Sequence, residues 1–398
     1  MKKPVAVFEI TNMSIRLVVG IVVDDKPLIV YQEERPIEGM VVRGDIVDYQ
    51  GIIATIKDMS HVEDESIKLR FDIKEATVIF PAIGFLVLSG DKTTNVVSSD
   101  NIISEIDISN VLSLVLKENI PEGAEIVDII PDTFILEQQR TFAFPPIGQS
   151  STSLKMISKV QCLPQRIVRD YKVIFKQLGI IVRRSIISSH AITNAITLNS
   201  TFPQSYILVD MGAGVTKLSL VGNHSIFGAS SFLLGGNDLA MNISENLCVP
   251  QEEAVRLMEL YGYNDSELKF EPTISESLSP DGTPMKFTPK DLNDIVVDFI
   301  KNFYFRQLDT SISLLLKGYG DDVRRLPIVF TGGFSKLNGF KKLAKEKYSN
   351  NSIFFFNPSA IGCRDPKFSA CVGALMCSSG FKGTLSDAQV TKVERLDK

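Results

Sequence analysis

An α/β fold built in two similarly opened halves is what this sequence of 398 residues predicts, on three observations. Residues 5–10 and 206–210 are apolar, strand-like runs, and each leads through a short polar turn into a second run, at 15–23 and 217–221. Amphipathic helical spacing recurs between such runs, most plainly over 165–178. Hydrophobic residues make up 44% of the chain, enough for two or more separate cores.

The elements follow in order. Runs 5–10, 15–23 and 27–34 read as strands, with Asp24-Asp25-Lys26 as a turn. Gly39 and Gly44 bracket a further extended piece, and 49–59 reads as a helix. Strands resume from Ala76, punctuated by Pro81, Gly84 and Gly90. The spacing of Val111, Leu112 and Val115 predicts a helix over 109–118 with Ser109 as its N-cap. Strands at 125–137 and 153–160 flank the loop Pro145-Pro146-Ile147-Gly148, and the helix 165–178 stops at Gly179. In the second half, helices are expected at 237–246, after Gly235-Gly236, and at 250–261. Glu252 and Glu253 lie in the first turn of the latter, where negative charge suits the helix dipole. Residues 270–289 read as strands and a loop. Residues 289–317 read as one long helix with Leu292, Val296, Phe299, Phe303 and Ile312 on or near one face. A strand at 327–330, Thr331-Gly332-Gly333 and a helix at 339–347 close the pattern, and a polar tail starts near Ser378.

Bulk properties exclude several functions. The formal net charge is −5 and no long basic run occurs, which argues against nucleic acid as the main partner. Five scattered cysteines without a CxxC pair support neither a disulfide framework nor zinc. The opening Met1-Lys2-Lys3-Pro4 runs straight into a strand, so no secretory signal is expected, and no apolar window reaches membrane-spanning length. Together these predict a cytoplasmic protein.

Chemistry concentrates in glycine-containing turns. In Asp210-Met211-Gly212-Ala213-Gly214-Val215-Thr216 the glycines let backbone N–H groups approach a phosphate. Thr216 is expected to donate to a phosphate oxygen, and Asp210 to hold Mg²⁺ through water. Thr331, Gly332 and Gly333 follow a buried strand and suit a ring or ribose, and Gly235 and Gly236 precede a helix N-terminus, where anions bind. Each turn alone also fits an ordinary hairpin or connection. His190, alone after an apolar strand, reads most simply as a packed residue.

The order of these turns resembles that of the actin-like ATPase superfamily, in which two phosphate loops clamp a nucleotide between two domains. Within it the chain, over about residues 5–380, is similar to the FtsA family of cell-division proteins. Residues 39–48 (GMVVRGDIVD), 130–134 (IPDTF), 251–254 (QEEA) and 366–375 (PKFSACVGAL) carry the likeness. The resemblance implies an actin-like fold of duplicated, ribonuclease H-like mixed sheets. Residues 1–83 with 163–200 and 360–380 would form the first subdomain, and 84–162 a small inserted α/β subdomain. Residues 201–223 with 309–359 would form the second subdomain, 224–308 a smaller one, and 381–398 a polar tail. The family's first phosphate loop corresponds to Glu9-Ile10-Thr11-Asn12-Met13-Ser14, where Thr11 replaces a glycine and no lysine follows. Glu9 and Asn12 remain as candidate contacts, whereas Val255 and Met258 stand where the family has Glu and Lys.

By resemblance, the cofactors would be ATP and Mg²⁺, with binding and at most weak hydrolysis. The partner would be the C-terminal tail of the ring protein FtsZ, docked on 224–308. Arg306 and Asp309 match the family's Arg-x-x-Glu spacing, although an i,i+3 surface pair explains them more simply. Self-association into filaments, contact with other division proteins through 84–162 and a place at the inner membrane face would follow. Residues 380–398 lack the apolar bulk of an inserting helix. An active ATPase and a pilus-assembly scaffold of actin-like type are the competing readings.

Overall fold

A computed structural model describes residues 4–64, 69–117, 119–264, 272–278 and 282–378. The expected tail at 381–398 lies outside the described residues. Two five-stranded mixed sheets share one topology. In the first, Val5–Ile10, Ser14–Val23 and Lys26–Pro36 form an antiparallel meander, and Glu75–Phe80 and Ile181–Ile187 add parallel strands on the other side of Val5–Ile10. In the second, Tyr206–Met211, Thr216–Gly222 and Ser225–Phe232 form the meander, and Ile328–Thr331 and Ile353–Phe355 are the parallel strands. The repeated opening is therefore a duplicated fold of the actin-like kind.

Alternation decides which face each strand buries. Tyr206 and Leu208 join the core of the first lobe, whereas Ile207, Val209 and Met211 belong to that of the second. Helix Gln165–Leu178 lays Phe175 and Tyr171 against Phe8 and Phe80, and it ends on Gly179 at φ 67°, a left-handed cap that glycine adopts without strain. Helices Ser188–Thr197 and Ser369–Ser378 meet backbone to backbone. A Cβ on Gly373 would lie 1.7 Å from the Ala191 carbonyl oxygen, so only glycine permits that approach.

Between these parts, Leu86–Asn95, Ala124–Ile135, Thr141–Phe142 and Ser153–Pro164 form a four-stranded antiparallel sheet with its own core. The helix packed on it runs Glu105–Val115, not 109–118. Its start is set by Asp107, which accepts from the Ser104 N–H and hydroxyl, each at 2.8 Å, so Ser104 and not Ser109 precedes the first turn. The expected long helix also differs. Pro289–Asp298 and Phe305–Leu315 are α-helical, but Phe299–Tyr304 is a π-helical turn. Its wider winding keeps Val296, Ile300, Tyr304 and Leu308, each four residues apart, on the buried face and leaves Phe303 53% exposed. Among the described residues, no helix is long and apolar enough to cross a membrane.

Candidate functional site

Each lobe builds its first hairpin in the same way. In the second lobe Met211 pairs with Thr216, and the Gly212 N–H donates to the Val215 carbonyl at 3.1 Å, closing a four-residue turn. In the first lobe Ile10 pairs with Ile15, and the Thr11 N–H donates to the Ser14 carbonyl at 2.9 Å. The two turns face one another. An ideal Cβ on Gly214 would sit 2.4 Å from the Asn12 amide nitrogen, and Asn237 Nδ2 donates to Met13 Sδ at 3.2 Å. A cavity of about 570 Å³ lies between the lobes, lined by Glu9, Asn12, Gly212, Gly214, Gly332 and others. That volume is within the range of small-molecule sites.

The turns differ in what they offer a ligand. The N–H groups of Ala213, Gly214 and Val215 are engaged by no hydrogen bond among the described residues. In the first lobe the Thr11 hydroxyl accepts from the N–H groups of Met13 (3.3 Å) and Ser14 (3.0 Å) and donates to the Ser14 carbonyl (2.8 Å). A side chain has thus consumed two of the donors that a glycine there would leave open. Gly332 is at φ 88° and ψ 164°, a region reserved for glycine, and packs on the Met211 backbone and the Asp210 carboxylate. Asp210, Ala213, Gly236 and Gly333 also line the cavity.

Several sequence-based assignments are corrected. Thr216 is fully buried, and its hydroxyl lies 2.8 Å from the Leu234 carbonyl and 3.0 Å from the Tyr304 hydroxyl, facing away from the cleft. The reason is the strand period: Asp210 and its cross-strand partner Lys217 face the cleft, so their neighbours Met211 and Thr216 face the core. The Thr331 hydroxyl donates to the Phe356 carbonyl at 3.0 Å and meets Ser369 Oγ at 2.8 Å, so it too is spent internally. Nor is the helix N-terminus after Gly235 open to an anion. The Gly235 N–H goes to Asp238 at 2.8 Å, that of Gly236 to the Gly212 carbonyl at 3.2 Å, and that of Asn237 to the Ala213 carbonyl at 2.8 Å. Gly235 backs the 212–215 turn instead of lining the cleft: a Cβ there would be 2.4 Å from the carbonyl oxygens of Gly212 and Ala213.

Asp210 does not fit the Mg²⁺ that this fold implies. Lys217 Nζ is 2.7 Å from Asp210 Oδ2, with both side chains largely buried. Glu9 is held likewise by Arg16 Nη1 at 3.1 Å and by the Cys371 thiol, which donates at 3.4 Å. Arg16 also binds Glu34 at 2.9 Å and the Lys367 carbonyl at 2.8 Å. Burial would raise the Glu34 carboxyl, but Lys367, Arg16 and Ser14 together hold it down to about 2. Lys217, Arg16 and Lys367 were not singled out from sequence. Residues seven apart across each first hairpin, 9 with 16 and 210 with 217, were the available signal.

Outside the cleft, His190 packs against Asn194, its Nε2 3.0 Å from the Asn194 amide, and burial beside Arg184 lowers its pKa to about 3, so it stays neutral. Arg306 and Asp309 do not pair with each other; Asp309 is engaged by Lys347 at 2.7 Å and by the Tyr348 hydroxyl at 2.9 Å. Glu253 pairs with Arg256 on its own helix. Val255 and Met258 line the cleft, giving that wall apolar surface.

Comparisons with known proteins agree with this architecture. Residues 207–373 match the family described as "Cell division protein FtsA", and residues 87–160 match the "SHS2 domain inserted in FTSA". The cell division protein FtsA of Enterococcus hirae is 25% identical over 397 residues, covering 96% of this chain and 84% of that protein. That of Bacillus subtilis is 24% identical over 385 residues, covering 92% and 81%. Among solved structures, a PilM-PilN type IV pilus biogenesis complex is similar with a TM-score of 0.61 and 14% identity, over 95% of this chain and 99% of that one. MreB5 of Spiroplasma citri bound to AMPPNP gives 0.56 and 13%, over the whole of both chains. At such identities the structural likeness establishes the fold alone.

Proposed function

We propose that this chain, which belongs to the FtsA family of cell division proteins, binds an adenine nucleotide between its lobes and acts as a tether and not as a fast ATPase. The observation that carries the reading is the turn at 212–215, whose unengaged N–H groups face a cavity bounded by the other lobe's equivalent turn. Ala213, Gly214 and Val215 would hold phosphate through backbone N–H groups. Gly332 and Gly333 would admit the sugar or base edge, and Val255 and Met258 would offer apolar contact. The first loop contributes less, since Thr11 has taken the Met13 and Ser14 donors, and Glu9 is tied to Arg16 and Cys371. The carboxylates nearest the two turns, Asp210 and Glu9, are each held by a cation instead of standing as a base, so slow or absent hydrolysis follows.

In this reading the nucleotide state sets how the lobes sit, and the protein organises FtsZ at the division site on the inner face of the membrane. The FtsZ tail would dock on 224–308, self-association would form filaments, and 84–162 would meet other division proteins. The match of 207–373 to the FtsA family and the FtsA relatives favour this over a pilus scaffold. The test is calorimetric titration with ATP and ADP beside phosphate-release and FtsZ co-sedimentation assays. Binding with background phosphate release and co-sedimentation is expected. Steady turnover of about one per second or faster would overturn the tether reading, and absence of binding to either nucleotide would remove the site.

A further inference from the structure

We infer that the cleft takes its nucleotide without a divalent cation, the Lys217 ammonium standing where a metal ion would. The inference rests on the nucleotide reading above and concerns the same site. Its basis is a feature repeated in both lobes. Each first hairpin places a carboxylate on one strand directly opposite a cation on the next: Glu9 opposite Arg16, and Asp210 opposite Lys217. Both pairs are closed, at 3.1 Å and 2.7 Å, and both line the cavity. A third acid at the rim, Asp365, is likewise bound by Lys336 at 2.7 Å. The acids of the two turns are therefore neutralised from within the protein.

A hydrated divalent ion held by Asp210 would stand beside the Lys217 ammonium in a partly desolvated space, where like charges repel strongly. Displacing the lysine would strand a cation whose side chain is only 14% exposed. The ammonium can do part of the metal's work itself. It carries three donors, of which one is directed to Asp210 Oδ2. Among the described residues the others have no partner, so they can meet a phosphate oxygen resting on the N–H groups of Ala213 and Gly214, where a charge-assisted bond is strong.

The test is titration of the full chain with ADP and with ATP in excess EDTA and in excess Mg²⁺, with Mn²⁺ as a paramagnetic reporter of metal capture. The wild-type dissociation constant is expected to differ by less than about threefold between the two conditions, with no nucleotide-dependent Mn²⁺ signal from the protein. Lys217→Gln should lose about tenfold or more in EDTA and recover with Mg²⁺, because Asp210 is then free. Lys217→Arg, which keeps the charge and guards against misfolding as an explanation, should stay metal-independent. Wild-type binding that weakens tenfold or more in EDTA overturns the inference while leaving the nucleotide reading standing. Absence of binding in both conditions overturns both.

Discussion

Replacing Gly332 by alanine tests the geometry that joins the two glycine turns of the second lobe. The residue sits at φ 88° and ψ 164°, and a Cβ would lie 2.5 Å from the Met211 carbonyl oxygen, 2.8 Å from the Met211 nitrogen and 2.6 Å from Asp210 Oδ1. The backbone conformation alone costs about 1–3 kcal/mol for a residue with a side chain. Overlap with main-chain atoms that cannot swing aside adds about 1–3 kcal/mol. A loss of about 2–6 kcal/mol is large against the 5–15 kcal/mol that typically holds a folded domain. Gly333→Ala is the matched control, since its Cβ would meet only Lys367 Cβ, at 3.9 Å, an ordinary contact. Urea denaturation followed by far-UV circular dichroism, with the lobes fitted as separate transitions, is the assay. Gly332→Ala should lower one midpoint strongly and Gly333→Ala should change it by less than about 1 kcal/mol. Equal behaviour of the two variants would refute the packing argument.

Thr11→Gly should free the Met13 and Ser14 N–H groups, lowering stability by about 1–2 kcal/mol while tightening ADP several-fold in calorimetry; unchanged affinity would mean that the first turn lies outside the ligand's reach. Asp128 supplies a pH test. Its burial raises the pKa from 3.8 to about 7, against the lowering by Arg184 and the Ile129 N–H. A carboxyl raised in the folded state contributes fully below pH 4, and that contribution is lost as pH rises through about 7. Asp128→Asn should therefore flatten the decline in urea midpoint between pH 4 and pH 8, and parallel profiles for wild type and variant would contradict the assignment.

Much of this architecture was legible in the residues, and the failures share a cause. Strands 5–10 and 206–210 and the stop at Gly179 follow from local pattern and glycine placement, and the convergence of 210–214 with 332–333 from the family resemblance. What local pattern does not carry is direction. The residue type of Thr216 suits a phosphate contact, yet hairpin register alone sends it to the core and Lys217 to the cleft. A 3.6-residue period puts Phe303 on the buried face, and the wide turn at Phe299–Tyr304 breaks that period. Gly235 looked like an anion site because helix N-termini offer N–H groups, and only three dimensions reveal that the carbonyls of Gly212 and Ala213 already fill it. Asp365 with Lys336 depends on a contact between distant segments that no sequence window spans.

The last described helix, Ser369–Ser378, lies against Val5–Ile10, Ser14–Val23, Glu75–Phe80 and Ser188–Thr197, with Gly373 seated on Ala191 and Cys371 beneath Glu9. On the ribosome this ordering has a consequence. The amino-terminal sheet emerges early yet waits for residues made some three hundred and fifty positions later to seal its core. The second lobe, whose strands and helices fall within one continuous stretch, can condense first. A nascent chain arrested before residue 369 would therefore present an unfinished first lobe beside a second one whose own core is complete, a state that invites chaperone capture.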